Sequence, residues 1–195
     1  HIMRSIYKIV VCSLLTLSIT SCEKDLLEKE QYQKEIYLIG AYNRVWTTEV
    51  SYSDEEVKTY FTVSSSGTLA LDQDVNVKMK INEELVDIYN KKYWTVLNED
   101  KYYKSLDTDL YSIPSLENTV IKHAEGISAE VPVLIKTASL KIDQSYVIPV
   151  EIESTTVYPI SASGRKMLVL LKLKNDYSGS YQMNGRTTLE GETPK

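Results

Sequence analysis

With 195 residues, a net charge of −5 and a pI near 5.2, the chain can bury one sizeable domain and the start of a second. No Lys/Arg cluster stands out to neutralise phosphates, so the composition argues against nucleic acid as a partner. Its two cysteines, Cys12 and Cys22, both lie near the start, leaving the body of the chain without a thiol for a disulfide, a zinc site or a nucleophile.

His1 and Ile2 precede Met3, the natural start of the reading, and stand outside the fold. From Met3 the chain carries a basic lead (Arg4, Lys8), the apolar run Ile9 to Leu17, and then Ser18-Ile19-Thr20-Ser21-Cys22. The apolar run is too short for a permanent bilayer span and ends in small residues, the layout of a secretory signal over residues 1–21. Ser21 directly before Cys22 resembles the lipobox of bacterial lipoproteins, which implies lipid on Cys22 and attachment to the membrane. An ordinary signal peptide with an incidental Cys, or an N-terminal anchor, are the alternatives. Glu23 to Gln33 is charged and almost free of apolar residues, as a solvated tether is, and residues 22–34 are assigned to it. Glu23-Lys24-Asp25 partly resembles the acidic signal that sends Bacteroidetes lipoproteins to the cell surface. An outer-membrane lipoprotein displayed at the surface is the expectation, and one facing the periplasm is the alternative.

From Glu35 the apolar residues recur with period two. Ile36 to Tyr42, Arg44 to Tyr52 and Val57 to Val63 read as strands, the last two joined by the turn Ser53-Asp54-Glu55-Glu56. Ser64-Ser65-Ser66-Gly67 breaks the chain again. Val75, Val77, Met79 and Ile81 then point one way, with Asn76, Lys78 and Lys80 the other, the pattern of a sheet with one wet face.

A single sizeable helix is expected over Asn82 to Lys91. Asn82 is its N-cap, Glu83 and Glu84 complement the dipole, Leu85, Ile88 and Tyr89 share a face, and Lys91 and Lys92 close it. Lys92 to Pro114 reads as a long irregular loop rich in aromatic rings, and loops of that length are often binding loops.

Strands resume at Thr119 to Ile121 and at Glu130 to Ile135, with a turn at Glu125-Gly126 between them. Tyr146 to Ile152 follows, and Pro149 within it cannot donate to a ladder, which predicts an edge strand or a bulge. Lys166 to Leu173 is apolar enough for a central strand. Eight short strands, one helix and no βαβ rhythm predict a mainly β fold, an immunoglobulin-like antiparallel β-sandwich over residues 35–174.

Tyr89-Asn90, Gly126-Ile127-Ser128 ahead of the Val131-Val133-Ile135 strand, and Tyr146-Val147-Ile148-Pro149-Val150-Glu151-Ile152 together resemble a family of Bacteroidetes lipoproteins. Its N-terminal domain is an uncharacterised immunoglobulin-like β-sandwich. The resemblance implies a place in glycan-utilisation systems, before either a second β-domain or a family 18 glycoside hydrolase domain. Outer-membrane glycan-uptake proteins are the partners it implies. Tyr177 to Gly185 looks like the opening of the second β-domain, so residues 175–195 are assigned to a linker and its incomplete start. Where relatives commonly have Leu-Pro before the Tyr-rich segment, this chain has Val96-Leu97-Asn98. The family brings no catalytic residues to carry over.

Chemistry is sparse. His123 is the one His beyond His1, so with no Cys beside it the usual transition-metal sites are excluded. No cofactor motif is present, and Glu83-Glu84 and Asp107-Thr108-Asp109 read as a helix start and a loop, not as a glycosidase carboxylate pair. The positive signal is 15 Tyr against a single Phe. A phenol pairs a flat apolar face with a polar handle, which suits stacking on a sugar ring. Trp94, Tyr93, Tyr102, Tyr103 and Tyr111 on the long loop are the candidate carbohydrate-binding residues. Packing beneath their own loop is the competing role, and Trp46 is expected in the core. The expectation is therefore a non-enzymatic, lipid-anchored glycan-binding or accessory protein. An accessory domain of a glycoside hydrolase and a structural or adhesive protein-binding surface protein are the alternatives.

Overall fold

The computed structural model describes residues 32–174. The expected signal, Cys22, most of the tether and the Tyr177 to Gly185 piece lie outside the described residues. Ten strands and one α-helix follow in the order β1 (Ile36–Leu38), β2 (Val45–Ser51), β3 (Glu56–Ser65), β4 (Val75–Ile81), α1 (Glu84–Tyr93), β5 (Lys104–Ser105), β6 (Tyr111–Ser112), β7 (Thr119–Ile121), β8 (Ser128–Lys136), β9 (Tyr146–Thr155) and β10 (Lys166–Lys174). They form two facing sheets. One has the order β1-β3-β8-β6, the other β2-β10-β9-β4-β7, with β5 added to β9.

The alternating residues behave as their period demands. Phe61 and Val63 of β3 and Val131, Val133 and Ile135 of β8 face Val75, Val77 and Met79 of β4, Ile148, Val150 and Ile152 of β9, and Met167, Val169 and Leu171 of β10. Each of these is at most 3% exposed, and burying one such side chain stabilises by about 1.5–3 kcal/mol. The β-sandwich with one sizeable helix is as the sequence predicts.

Three details differ. The first strand is short because the chain crosses from one sheet to the other just after it. Gly40 (φ 92) and Arg44 (φ 63) bracket a 3₁₀ turn at Ala41–Asn43 and deliver Val45 to the second sheet. A Cβ at Gly40 would meet Trp46 Cε3 at 2.8 Å, so the crossing needs glycine there. Entering by a crossover and not by a hairpin, β2 pairs parallel with β10, from Val45↔Leu168 to Ser51↔Lys174. The sandwich is therefore not wholly antiparallel.

Pro149 does not lie at an edge. β9 is an interior strand between β10 and β4, and its register shift against β4 falls at Lys78/Met79, away from the proline. The missing donor is harmless because Pro149 marks the point where β4 leaves. Its carbonyl accepts from the Asn82 N–H (3.0 Å), and the Asn82 carbonyl, with no proline N–H to meet, accepts instead from Leu85 N–H at the start of α1 (3.1 Å). This also moves the helix two residues later than predicted, since Asn82 is still held by the sheet. Its Oδ1 keeps a capping role, accepting from Glu84 N–H at 3.2 Å.

The segment from Lys92 to Pro114, expected to be irregular, is pinned to both sheets. β5 runs parallel to β9 (Lys104↔Tyr146, Ser105↔Val147) and β6 antiparallel to β8 (Tyr111↔Ile135, Ser112↔Leu134). It is a strap across one side of the sandwich.

β10 is flanked by β2 and β9 and supplies buried side chains to both of its faces. Ending the chain after Gly164 removes Met167, Leu168, Val169 and Leu171 from the core at once, a loss of about 6–12 kcal/mol in burial alone, comparable to the roughly 5–15 kcal/mol of net stability of a domain this size. Such a chain is expected to show no cooperative thermal transition by circular dichroism, whereas one ending after Lys174 melts cooperatively.

Candidate functional site

The outer side of a sandwich sheet ordinarily meets water. Here the outer side of β2, β10 and β9 carries Val45, Leu168, Leu170 and Val147, an apolar surface that needs a cover. α1 supplies it with Leu85, Val86 and Tyr89, and the strap adds Tyr103. Glu84 and Asp87 lie in the first turn of α1 and Lys91 and Lys92 in its last, each complementing the dipole.

Asn90 ties the strap to the helix. It is buried, its Nδ2 donates to the Tyr103 carbonyl and its Oδ1 accepts from the Tyr103 N–H, both at 2.9 Å. The amide thus pairs with a strap residue as a neighbouring strand would. It also holds the Tyr103 ring against Tyr89, nearly parallel, with centroids 5.1 Å apart and planes at 11°. Tyr93, one turn on from Tyr89, also meets the Tyr89 ring, with centroids 4.4 Å apart and planes tilted by 36°. Burial, then the neighbouring Tyr103 and Tyr93, push the Tyr89 phenol up to about 12.

Two grooves flank α1. On one side Arg44, Lys92 and Lys166 stand around a floor of Leu85, Tyr89 and Leu168, enclosing about 60 Å³. On the other, Glu83, Glu84, Asp87 and Glu99 face Tyr102 and Lys104 across a wider, open space of about 590 Å³. The Tyr93–Tyr89–Tyr103 stack runs between them. Among the described residues no group of three or more His, Cys, Asp or Glu is placed to hold a metal ion.

A family model described as an N-terminal domain matches residues 32–159, more than half of the chain. The chain belongs to that N-terminal-domain family. A second model, described as C-terminal, matches residues 165–195. The membership bears out the resemblance seen in Tyr89-Asn90, Gly126 to Ser128 and Tyr146 to Ile152. Among solved structures the fold is similar to that of an auxiliary nutrient binding protein from Bacteroides thetaiotaomicron (TM-score 0.56, 17% identity, 72% of this chain and 47% of that one). It is also similar to a candidate carbohydrate binding protein from Bacteroides ovatus (0.53, 20%, 71% and 36%). A third is EndoBT-3987 of Bacteroides thetaiotaomicron, bound to a Man5GlcNAc product (0.52, 18%, 71% and 30%). The chain spans less than half the length of each of these three. No curated protein matches it.

Of the five aromatic residues that the family member's sequence singles out, the structure brings Tyr93 and Tyr103 together through Tyr89. Tyr93 is 48% exposed. Trp94 follows at the end of α1, half-buried, with its Nε1 buried and Lys101 Nζ 5.7 Å from its ring centre. Tyr102 lines the acidic groove and its carbonyl accepts from Gln144 Nε2 at 3.4 Å. Tyr111 is set apart from the stack. It packs on the main core, and burial, then the charge of Glu83, push its phenol up to about 12. The Val96-Leu97-Asn98 departure forms part of a 3₁₀ segment kinked at Asn98, with Val96 and Leu97 exposed. The buried side-chain polar atoms without a hydrogen-bond partner among the described residues are Trp94 Nε1, Ser105 Oγ, Tyr111 Oη and Ser115 Oγ. All lie between positions 94 and 115, so the strap is held by backbone pairing, packing and Asn90 more than by its own polar side chains.

Trp46 is not a core residue. It lies on the inward register of β2 but at the strand's start, 36% exposed and packed over Gly40. His123 is exposed, its Nδ1 2.6 Å from Asp74 Oδ1 and its N–H 3.0 Å from the same oxygen. Those bonds hold the Asp74 carboxyl below its ordinary range and tie two loops together.

Sequence reasoning gives Asn90 and Arg44 no role in the site. For Asn90 a signal exists: a polar residue four positions after Val86, on the side of the helix that faces the sheet. Asn90→Ala leaves a peptide N–H and C=O of Tyr103 without partners and is expected to destabilise the domain by about 2 kcal/mol. Urea unfolding reads the loss, and hydrogen exchange at the Tyr103 amide reads its cause. An unchanged exchange rate there would place the strap's anchor elsewhere.

Proposed function

We propose that this chain is a non-enzymatic, lipid-anchored envelope protein that captures glycan for a glycan-utilisation system, with the α1–strap unit as its binding face. The observation that carries the reading is the tyrosine stack. Three phenols stand on a rigid helix-on-sheet base, the outermost half exposed, with an acidic groove on one side and a cation-rimmed apolar groove on the other. Flat apolar faces with hydrogen-bonding rims are what a sugar ring requires. The named neighbours, one for nutrient binding, one a candidate for carbohydrate binding and one holding a glycan product, support the same class of ligand. The likeness to EndoBT-3987 favours a second reading, in which this fold is the accessory N-terminal domain of a glycoside hydrolase.

Attachment through Cys22, with outer-membrane display and contact with glycan-uptake proteins, rests on Ser21-Cys22 and the acidic residues behind it. Cys22→Ala is expected to abolish labelling by a palmitate analogue and to release the protein from the membrane fraction. Unchanged labelling sinks the anchor.

A glycan array on the protein followed by calorimetry tests the binding face. Tyr93→Ala should weaken binding tenfold or more, which is about 1.4 kcal/mol, with little change in melting temperature. Trp46→Ala should lower the melting temperature and leave binding unchanged. Trp94→Ala should lower both, because its indole is partly packed. Full affinity in Tyr93→Ala removes the stack from the site.

A further inference from the structure

The basic groove carries a more specific assignment, which rests on the glycan reading above. In an acidic protein, Arg44, Lys92 and Lys166 all line one groove with an apolar floor, and Lys92 Nζ lies 5.4 Å from the centre of the Tyr93 ring. Among the described ion pairs neither Arg44 nor Lys92 has a carboxylate partner. Lys166 reaches Glu151 only at 3.9 Å, and that carboxylate is already bonded by Arg165 Nε at 3.2 Å and Asn82 Nδ2 at 2.6 Å. Arg44 adds a second observation. It is the one non-glycine residue with positive φ among those described. Glycine would hold that turn without steric cost, as Gly40 does four residues earlier, yet the position keeps a guanidinium. The groove is open to solvent, and its lining favours a small acidic group: three cations stand around an apolar floor of Leu85, Tyr89 and Leu168. Beside it Ile88 (54% exposed) and Tyr93 form an apolar rim on which a ring can rest.

We infer that this groove is a subsite for an anionic pyranose residue, its acidic group seated among Arg44, Lys92 and Lys166 and its ring lying on Ile88 and Tyr93. A planar guanidinium matches a carboxylate or sulfate through two parallel donors, while lysines act as point charges around it. The acidic groove across α1 repels the same group, so the field along the helix orients the chain of sugars.

Calorimetry on the full chain tests this with three probes: trigalacturonate, a sulfated carrageenan tetrasaccharide and neutral mannotriose. One of the acidic probes is expected to bind at least tenfold more tightly than the neutral one at low salt, and to lose most of that margin at 0.5 M salt. Which acidic probe binds tells carboxylate from sulfate. Arg44→Gly keeps the left-handed turn and removes the charge, so it should hold or raise the melting temperature while weakening the acidic probe tenfold. Lys92→Gln should weaken it severalfold and serves if the glycine variant folds poorly. Acidic affinity unchanged in both variants overturns the subsite. Mannotriose binding as tightly as the acidic probes overturns it too, while leaving glycan capture intact. No binding to any probe or on the array overturns both.

Discussion

The outer side of β9 presents Val147, Pro149 and Glu151 to the flank of the sandwich, and all three are buried. A strand covered on both faces is costly unless each polar group on it is met, and the arrangement around β9 meets them one by one. Glu151 is bonded by Asn82 and by Arg165, with Lys166 behind. Without them a buried carboxylate would cost several kcal/mol. Pro149 has no donor, and the chain uses that lack to turn a departing strand into a helix. Val147 is covered by the helix that results. The candidate site is therefore a by-product of closing the sheet, because the element that hides the apolar patch brings the aromatic rings and both grooves with it.

The same construction gives α1 two unlike sides. Glu84 and Asp87 fall on the side of the wider groove, Ile88 and Lys92 on the side of the narrower one. Backbone bonds to β9 and β8 at β5 and β6 fix the C-terminal half of the strap, and a single amide holds it at Tyr103, just ahead of β5. The stretch from Val96 to Lys101 has no buried residue, which places it at the low end of local stability within an otherwise well-packed domain.

The sandwich was legible in the sequence because its information is local. Val75, Val77 and Met79 alternate with asparagine and lysine, and a single helix start with acids at one end and lysines at the other admits few other readings. What escaped was long-range. Nothing local in Val45 to Ser51 tells that it will run parallel to a strand more than a hundred residues later, since the crossover at Gly40 and Arg44 sets the direction. Pro149 misled because the usual rule concerns a donor lost in the middle of a ladder, and here the neighbouring strand ends at that residue. The strap's aromatic richness was visible. Its division was not: Tyr111 goes to the main core, Tyr103 to the helix, and the ring that joins Tyr103 to Tyr93 is Tyr89, which reads in the sequence as an ordinary face residue.

The parallel pairing of β2 and β10 bears on how the domain carries load. β2 is the first strand of its sheet along the chain and β10 the last, and they run side by side over the full length of β2. Tension reaching β2 from its N-terminal end and β10 from its C-terminal end draws the two strands in opposite directions along their common axis. Every rung of the ladder then bears the force together, whereas a hairpin pulled from its open end yields rung by rung. β10 is also gripped on its other side by β9. Under tension the lifetime of the fold is set by its unfolding rate and not by its equilibrium stability, and a doubly gripped strand loaded in shear is the arrangement that keeps that rate low.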